Sequence, residues 1–431
     1  MCNEEWNDAR FLAEACALTG SAAFFAGIPD AVLIANGPMW CYYYALRYLQ
    51  KQCPEINARF YCTQADNHAV IYGTEECLLE TLQIIRRQTR PAVVLIENSC
   101  SVSLIGDDIA GIARQADLPC PVVCMDSGGM EGGFAAGYRN AAKAYFDQIA
   151  LTRPQNVQAN AVNLLGGTVG YYRGASDVRE LERMLKRAGY QVLACPGAGS
   201  STGEITAMAQ AALNIVVHDE LGLDLANMLQ ERYGMPYVTL ALPYGLQGSF
   251  AWLETIRQHL TPTDCDFSEV SQEVKRLERK QQAAELEMQR IWGDLWFAKT
   301  LIAAPASVAV AMAVAVRTEW LDTGRLTVVS YDRRPAHIAT EGYIDAFLDA
   351  AGDSQLIEQE LTALTGGLLL GSSNERAILQ QRSVADAVYL NIALPVYDEV
   401  QLCDWPLMGF RGACYLTESL WNRHIANCQR R

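Results

Sequence analysis

The 431-residue chain lacks the short signatures that mark many common enzyme classes. No G-x-x-x-x-G-K-[ST] loop is present, which argues against nucleotide hydrolysis by P-loop chemistry. No G-x-G-x-x-G follows an apolar run. Gly128-Gly-Met-Glu-Gly-Gly133 is glycine-rich, but its spacing is wrong for a dinucleotide fingerprint. H-E-x-x-H, G-x-S-x-G and zinc-type C-x-x-C pairs are also missing. The five histidines, at 68, 218, 259, 337 and 424, are too scattered to read as a metal cluster. Charged residues are scarce at 19%, which argues against long disordered tails. Positive charge is scarcer still. With 34 Lys+Arg against 49 Asp+Glu the net charge is −15, so neither nucleic acid nor an anionic membrane surface is an expected partner. The longest uncharged stretch, Thr300 to Val316, is short for a membrane span and is interrupted by Pro305. It reads as a buried strand running into a helix.

Cysteine is present, though not at disulfide-scaffold density: 14 residues, about 3%. Met1-Cys-Asn-Glu-Glu-Trp6 carries acids where an export leader carries basic residues, so a cytoplasmic, reducing setting is expected. There the cysteines are thiols, metal ligands or cluster ligands.

Apolar runs of strand length recur, each followed by a Gly-, Pro- or Ser-containing turn and a helical pattern. They include Ala31–Ala35, Ala92–Ile96, Pro121–Met125, Ala161–Leu165, Gln191–Cys195, Leu326–Ser330 and Leu368–Leu370. Continuous apolar strands alternating with helices indicate parallel sheets covered on both faces. The expected fold class is α/β, with three doubly wound, Rossmann-like parallel-sheet domains. Expected divisions are 1–152, 153–265 and 300–431, with Leu151–Asn156 as a linker. A charged stretch with helical spacing, 266–299, connects the last two; its Leu277, Leu286, Ile291 and Leu295 fall on related faces.

Three cysteines occupy informative positions. Cys16 precedes Ala17-Leu-Thr-Gly20. Cys41 follows the strand-end turn Asn36-Gly-Pro-Met-Trp40 and leads into an expected helix, Tyr42–Arg47. Cys100 follows a buried strand in Glu97-Asn-Ser-Cys100. Loops at the carboxyl ends of doubly wound strands converge on one crevice where ligands bind, and helix N-termini there favour a thiolate. Position alone leaves a small buried hydrophobe and a ligand equally open.

The residues around them resemble the nitrogenase component 1 family, which includes cofactor-assembly scaffolds, dark-operative protochlorophyllide reductase subunits and nitrogenase-like reductases. The resemblance is carried by Cys16, by Asn36-Gly-Pro-Met-Trp-Cys41 after 24 intervening residues, and by Ser99-Cys100 with Leu104-Ile-Gly-Asp-Asp-Ile109. It continues in Gly197–Ile205, Ala212–Ile215, Leu229–Pro236, Leu394–Asp398 and Gly409–Ala413, spanning about residues 11 to 425. The resemblance implies that Cys16, Cys41 and Cys100 are this chain's ligands to an iron–sulfur cluster. That cluster would be a [4Fe–4S] cubane or an [8Fe–7S] P-cluster type, shared with a homologous subunit. Three thiolates leave a cubane one ligand short, which fits a shared site. Ser127 lies where one nitrogenase subunit carries an extra cluster-contacting serine; a turn or cap is the plainer reading.

In the family's catalytic subunit, a middle-domain Cys and a C-terminal His hold the metal cofactor. Here His218 lies close to the first position, as a ligand or an ordinary loop histidine, and Leu394–Gly412 contains no histidine. The resemblance therefore implies a β-type subunit of an oxidoreductase, with the catalytic cofactor on an α-type partner in an α2β2 assembly. An ATP-hydrolysing [4Fe–4S] iron protein would supply electrons. A methylthio-alkane reductase type is among the candidates; the lack of a long N-terminal extension favours nitrogenase-like enzymes or scaffolds over nitrogenase β-subunits. The alternatives are an assembly scaffold and a member keeping only a structural cluster. The substrate is left open. Cys53, Cys62, Cys77, Cys195, Cys265, Cys403, Cys414 and Cys428 match no ligand position, and Cys120 and Cys124 read as residues of a core strand. Asp107 and Asp108 read as a helix-start flank and cap, and Trp40, Tyr42, Tyr43 and Tyr44 as core packing or a cover over the cluster.

Overall fold

The computed structural model describes residues 15–154, 156–260, 267–332 and 341–429. Cys2, Cys265, His337 and the N-terminal hexapeptide lie outside them, as does Gln155 of the expected linker. Among the described residues, thirteen strands form three sheets. The first runs β2-β1-β3-β4, from β1 (Ala31–Asn36), β2 (Phe60–Cys62), β3 (Val93–Asn98) and β4 (Val122–Asp126). The second runs β6-β5-β7-β8, from β5 (Gln158–Leu165), β6 (Gln191–Ala194), β7 (Ala211–Val216) and β8 (Tyr237–Thr239). The third runs β11-β10-β9-β12-β13, from β9 (Trp296–Ala304), β10 (Asp322–Ser330), β11 (Ala346–Asp349), β12 (Leu368–Gly371) and β13 (Val388–Asn391). Every pairing between these strands is parallel. The fold class is as expected. Strand order reverses between β1 and β3, between β5 and β7, and between β9 and β12, and such switch points are where open α/β sheets bind ligands.

The runs Ala31–Ala35 and Ala92–Ile96 became the fully buried strands β1 and β3, while β4 and β6, at sheet edges, are only partly buried. Thr300–Val316 is the end of β9 followed by the helix Ala306–Ala315, as its composition indicated. The charged stretch forms the helix Ser268–Trp292, which ends before Lys299 because Gly293 adopts φ +79° and β9 then starts at Trp296. Leu286 and Ile291 are exposed on that helix rather than packed. The short strands β2 and β8 escaped pattern reading because three residues cannot display a period.

One hydrophobic core threads all three sheets, joining Phe24, Phe25 and Tyr138 to Leu164, Ile302 and Leu390. Its densest part sets the position of Cys16. The helix Ala17–Ala26 is buried along its whole length and lies against the helix Phe134–Gln148. The approach is so close that a Cβ on Gly20 would sit 1.9 Å from the Phe134 carbonyl oxygen. One on Gly137 would sit 1.9 Å from that of Ala17. No helix among the described residues is long and apolar enough to cross a membrane.

Candidate functional site

The carboxyl edge of the first sheet collects the three cysteines from three different elements. Cys16 is the N-cap residue of Ala17–Ala26, held by an antiparallel bridge to Gly133 and by the Ala17 N–H donating to the Gly132 carbonyl at 3.0 Å. Cys41 lies in the first turn of the helix Met39–Leu49. That helix starts earlier than Tyr42 because Pro38, with φ preset, is its N-cap. Cys100 opens the short helix Cys100–Ser103 directly after β3. Burial raises the Cys41 thiol above its ordinary range, with further increments from Cys16, Cys100, Cys62 and Glu97. Cys16 and Cys100 thus both lie close enough to Cys41 to act on its thiol.

The edge is fixed by a line of polar side chains that the sequence patterns did not disclose. Asn36 Nδ2 donates to Asn98 Oδ1 at 2.9 Å and to Thr74 Oγ1 at 3.1 Å, while Thr63 Oγ1 donates to Asn36 Oδ1 at 3.0 Å. Asn98 Nδ2 donates to Asp126 Oδ1 at 3.0 Å, and Ser103 Oγ donates to the same oxygen at 2.8 Å. Side chains just beyond or at the ends of β1, β2, β3 and β4 are thus joined. The only advance signal was Asn or Asp within two residues after three apolar runs. Asp107 accepts from the Thr74 N–H and hydroxyl at 2.6 and 2.8 Å, and Asp108 caps the helix Ile109–Gln115 through the Gly111 N–H at 2.8 Å. Both roles are structural.

Ser127 follows β4, its backbone N–H donating to the Asn98 carbonyl at 3.1 Å. It is a turn residue and no helix cap; its Oγ is fully buried and has no hydrogen-bond partner among the described residues. Next to it, Gly128 lies against Cys100, where an added Cβ would come within 2.8 Å of the cysteine Cα, N and Sγ. Cys62, at the carboxyl end of β2, was passed over in the sequence. It receives the Gln64 N–H at 3.3 Å and raises the pKa of Cys41. Cys77 lies on the helix Glu75–Gln88, its thiol donating to the Thr74 carbonyl at 3.2 Å. Cys124 sits on β4 while Cys120 precedes it, because Pro121 cannot donate to the ladder. Trp40, Tyr43 and Tyr44 are not core residues: they are exposed at 67%, 44% and 66%, and their rings lie against one another. Met39, Tyr72, Leu104 and Met130, in segments that follow the strands of the same sheet, are exposed as well.

Among the described residues, no three His, Cys, Asp or Glu groups close on a single metal ion. A polynuclear cluster poses a different requirement, since each thiolate binds its own iron. The donor chemistry fits such a group: soft thiols from three separate elements, a Gly in place of a side chain beside Cys100, and two orphaned buried oxygens nearby, Ser127 Oγ and Glu97 Oε1. A cationic iron core would also offset the burial that disfavours the Cys41 thiolate.

A second crevice lies where the carboxyl ends of the second and third sheets meet, and His218 lines it. The residue lies in the loop between β7 and the helix Asp219–Tyr233, and its ring is buried. Its Nδ1 pairs with Ser307 Oγ at 2.8 Å, and Ser307 Oγ lies 2.8 Å from Glu220 Oε1, which also accepts from Tyr171 at 3.2 Å. Burial pushes His218 down to about 3 and Glu220 up to about 8. The cavity beside them is about 30 Å³, room for water and little else.

A family profile described as nitrogenase component 1 type oxidoreductase matches residues 16–424, and so takes in all three cysteines. The chain belongs to that family. Among curated component 1 relatives, a light-independent protochlorophyllide reductase subunit from Methylobacterium sp. (strain 4-46) is 28% identical over 77% of this chain and 64% of the relative. The nitrogenase iron-molybdenum cofactor biosynthesis protein NifE of Methanosarcina barkeri is 26% identical over 65% of this chain and 60% of the relative. The chain thus spans less than two thirds of the length of these relatives. Among solved structures, "Nitrogenase Cp1 at pH 6.5" superposes with a TM-score of 0.77 over 97% of this chain and 93% of that one. At 14% identity this supports the component 1 fold alone.

Proposed function

We propose that the chain is the β-type subunit of a nitrogenase-like component 1 reductase, in which Cys16, Cys41 and Cys100 hold its share of an iron–sulfur cluster at the contact with a homologous α-type subunit. The observation that carries this reading is the gathering of the three thiols at one sheet edge inside an exposed aromatic rim. A bound cluster would supply one-electron storage. The chain's own residues orient the thiols through the Asn36–Asn98–Asp126 line and present Trp40, Tyr43 and Tyr44 as a surface that excludes water once a partner covers it. The second crevice supports placing the catalytic cofactor on the partner, because His218 is already engaged and the space beside it is water-sized. Without a P-loop, ATP hydrolysis falls to a separate iron protein.

The similarity to NifE favours one second reading, a scaffold on which cofactor is assembled; transfer of a cluster to an acceptor without substrate turnover would mark it. The test of the shared premise is Cys100→Ala in the complex purified with its partner. Iron content should fall and the reduced-state EPR signal should change, while Cys77→Ala leaves both as in the wild type. Equal iron and identical spectra in the two variants would remove Cys100 from the ligand set.

A further inference from the structure

A buried acid under the thiol crevice has no role in the reading so far. Glu97 lies on β3 on the face that carries Val93 and Leu95 into the main core, opposite the face of Val94 and Ile96. It is fully buried, Ser21 Oγ pairs with its Oε2, and its Oε1 has no hydrogen-bond partner among the described residues. Ser21 Oγ is also 3.2 Å from the Ala17 carbonyl and 3.0 Å from that of Leu18, both in the first turn of Ala17–Ala26. Ser21 Oγ is the donor, its one hydrogen shared among Glu97 Oε2 and the two helix carbonyls. Burial pushes Glu97 up to about 8.

A carboxyl with one bare oxygen in an apolar core is destabilising compared with the Leu or Val that the strand pattern calls for. What it does instead is tie two ligand-bearing elements together. Ser21 is five residues after Cys16, and Glu97 is three before Cys100. We infer that Glu97 is a positioning residue of the thiol crevice: through Ser21 it fixes the first turn of Ala17–Ala26, and with it Cys16, against the strand end that carries Cys100, and so sets the electronic environment of the cluster held there. This rests on the proposed cluster site and deepens it.

The test uses the complex with its partner and four variants: Glu97→Met, Ser21→Ala, the double variant and Glu97→Gln. The readouts are iron per chain, reduced-state EPR and the midpoint potential. Glu97→Met and Ser21→Ala should keep their iron but shift the g values and the potential in the same direction, and the double variant should shift no further. Glu97→Gln, whose amide oxygen can accept from Ser21 Oγ as Glu97 Oε2 does, should restore the wild-type signal. Asn163→Leu in the second sheet, which loses buried bonds to Met208 and Asn214, should lower stability and leave the potential unmoved. Wild-type spectra in both single variants, or additive shifts in the double, would overturn the inference. Where Glu97→Met does not fold, Ser21→Ala against Glu97→Gln gives the same decision. Iron-free wild-type complex would instead remove the cluster reading itself.

Discussion

The contact of Gly128 with Cys100 offers a sharp perturbation, because it adds one methyl group and removes no ligand. In Gly128→Ala the new Cβ would lie 2.8 Å from the Cys100 Cα, N and Sγ, against an ordinary contact of at least 3.4 Å. The turn or the cysteine must therefore move by about 0.6 Å. Two of the three opposing atoms belong to the Cys100 residue's main-chain framework, directly after a fully buried strand, so no rotamer change relieves the clash. Overpacking of this kind costs about 1–3 kcal/mol. The displacement also exceeds the ~0.5 Å within which a functional constellation must be held. The expected result is a modestly less stable chain that has lost at least half its iron, read by urea unfolding and by iron analysis of the same preparation. Gly234→Ala is the matched control: Gly234 has φ +68° past the helix Asp219–Tyr233 and nothing within 4 Å, so alanine there costs about 1 kcal/mol without touching the crevice. If Gly128→Ala retains full iron and a wild-type EPR signal, the packing argument that puts Cys100 in the cluster site is refuted.

Three other predictions rest on separate parts of the molecule. His218 has a folded pKa of about 3 against an ordinary 6.5, so stability present above pH 6.5 is lost as pH falls toward 3. At pH 5 this ring alone removes about 2 kcal/mol, and His218→Asn should flatten that part of the unfolding profile; an unchanged difference between pH 7 and pH 5 would refute it. Glu220, raised to about 8, acts in the opposite sense, which is why the variant is compared with the wild type at each pH. Arg173, buried and seated between Tyr172 and Tyr415, donates to the Cys403 and Trp405 carbonyls at 3.2 and 3.0 Å and pairs with Glu399 at 3.0 Å. Arg173→Met should cost about 3 kcal/mol in urea unfolding, and a loss below about 1 kcal/mol would show that this junction is not holding the C-terminal segment. Trp40→Ala should change monomer stability by under about 0.5 kcal/mol. It should weaken association with the homologous partner by about 30-fold in sedimentation or titration, a hot-spot loss, and unaltered affinity would take the aromatic rim out of the interface.

The fold was legible where the signal was physical and local. Apolar runs such as Ala92–Ile96 announce buried parallel strands because both faces of those strands are covered. Phe60–Cys62 and Tyr237–Thr239 were invisible because their strand character comes only from pairing with β1 and β7. At the candidate site, the strand-end positions of Cys41 and Cys100 were readable, and the family resemblance singled them out. Cys62 was not, since the strand that delivers it could not be seen. Glu97 reads as the first polar residue after an apolar run; its meaning depends on Ser21, 76 positions away, which no local pattern links to it. The burial of the His218 ring against Ser307 was not readable, because Ser307 reaches it only when the second and third sheets meet.

The line of amides and carboxylates from Asn36 through Asn98 to Asp126 bears on the order of events in the life of the protein. Small structural zinc domains are unfolded until their metal arrives, because the metal closes their backbone. Here the strand ends that carry the thiols are already joined by hydrogen bonds of 2.9 to 3.0 Å that use no cysteine. On the proposed reading, inserting a cluster would then be an event on an edge whose strands are joined by their own hydrogen bonds, rather than the step that folds it.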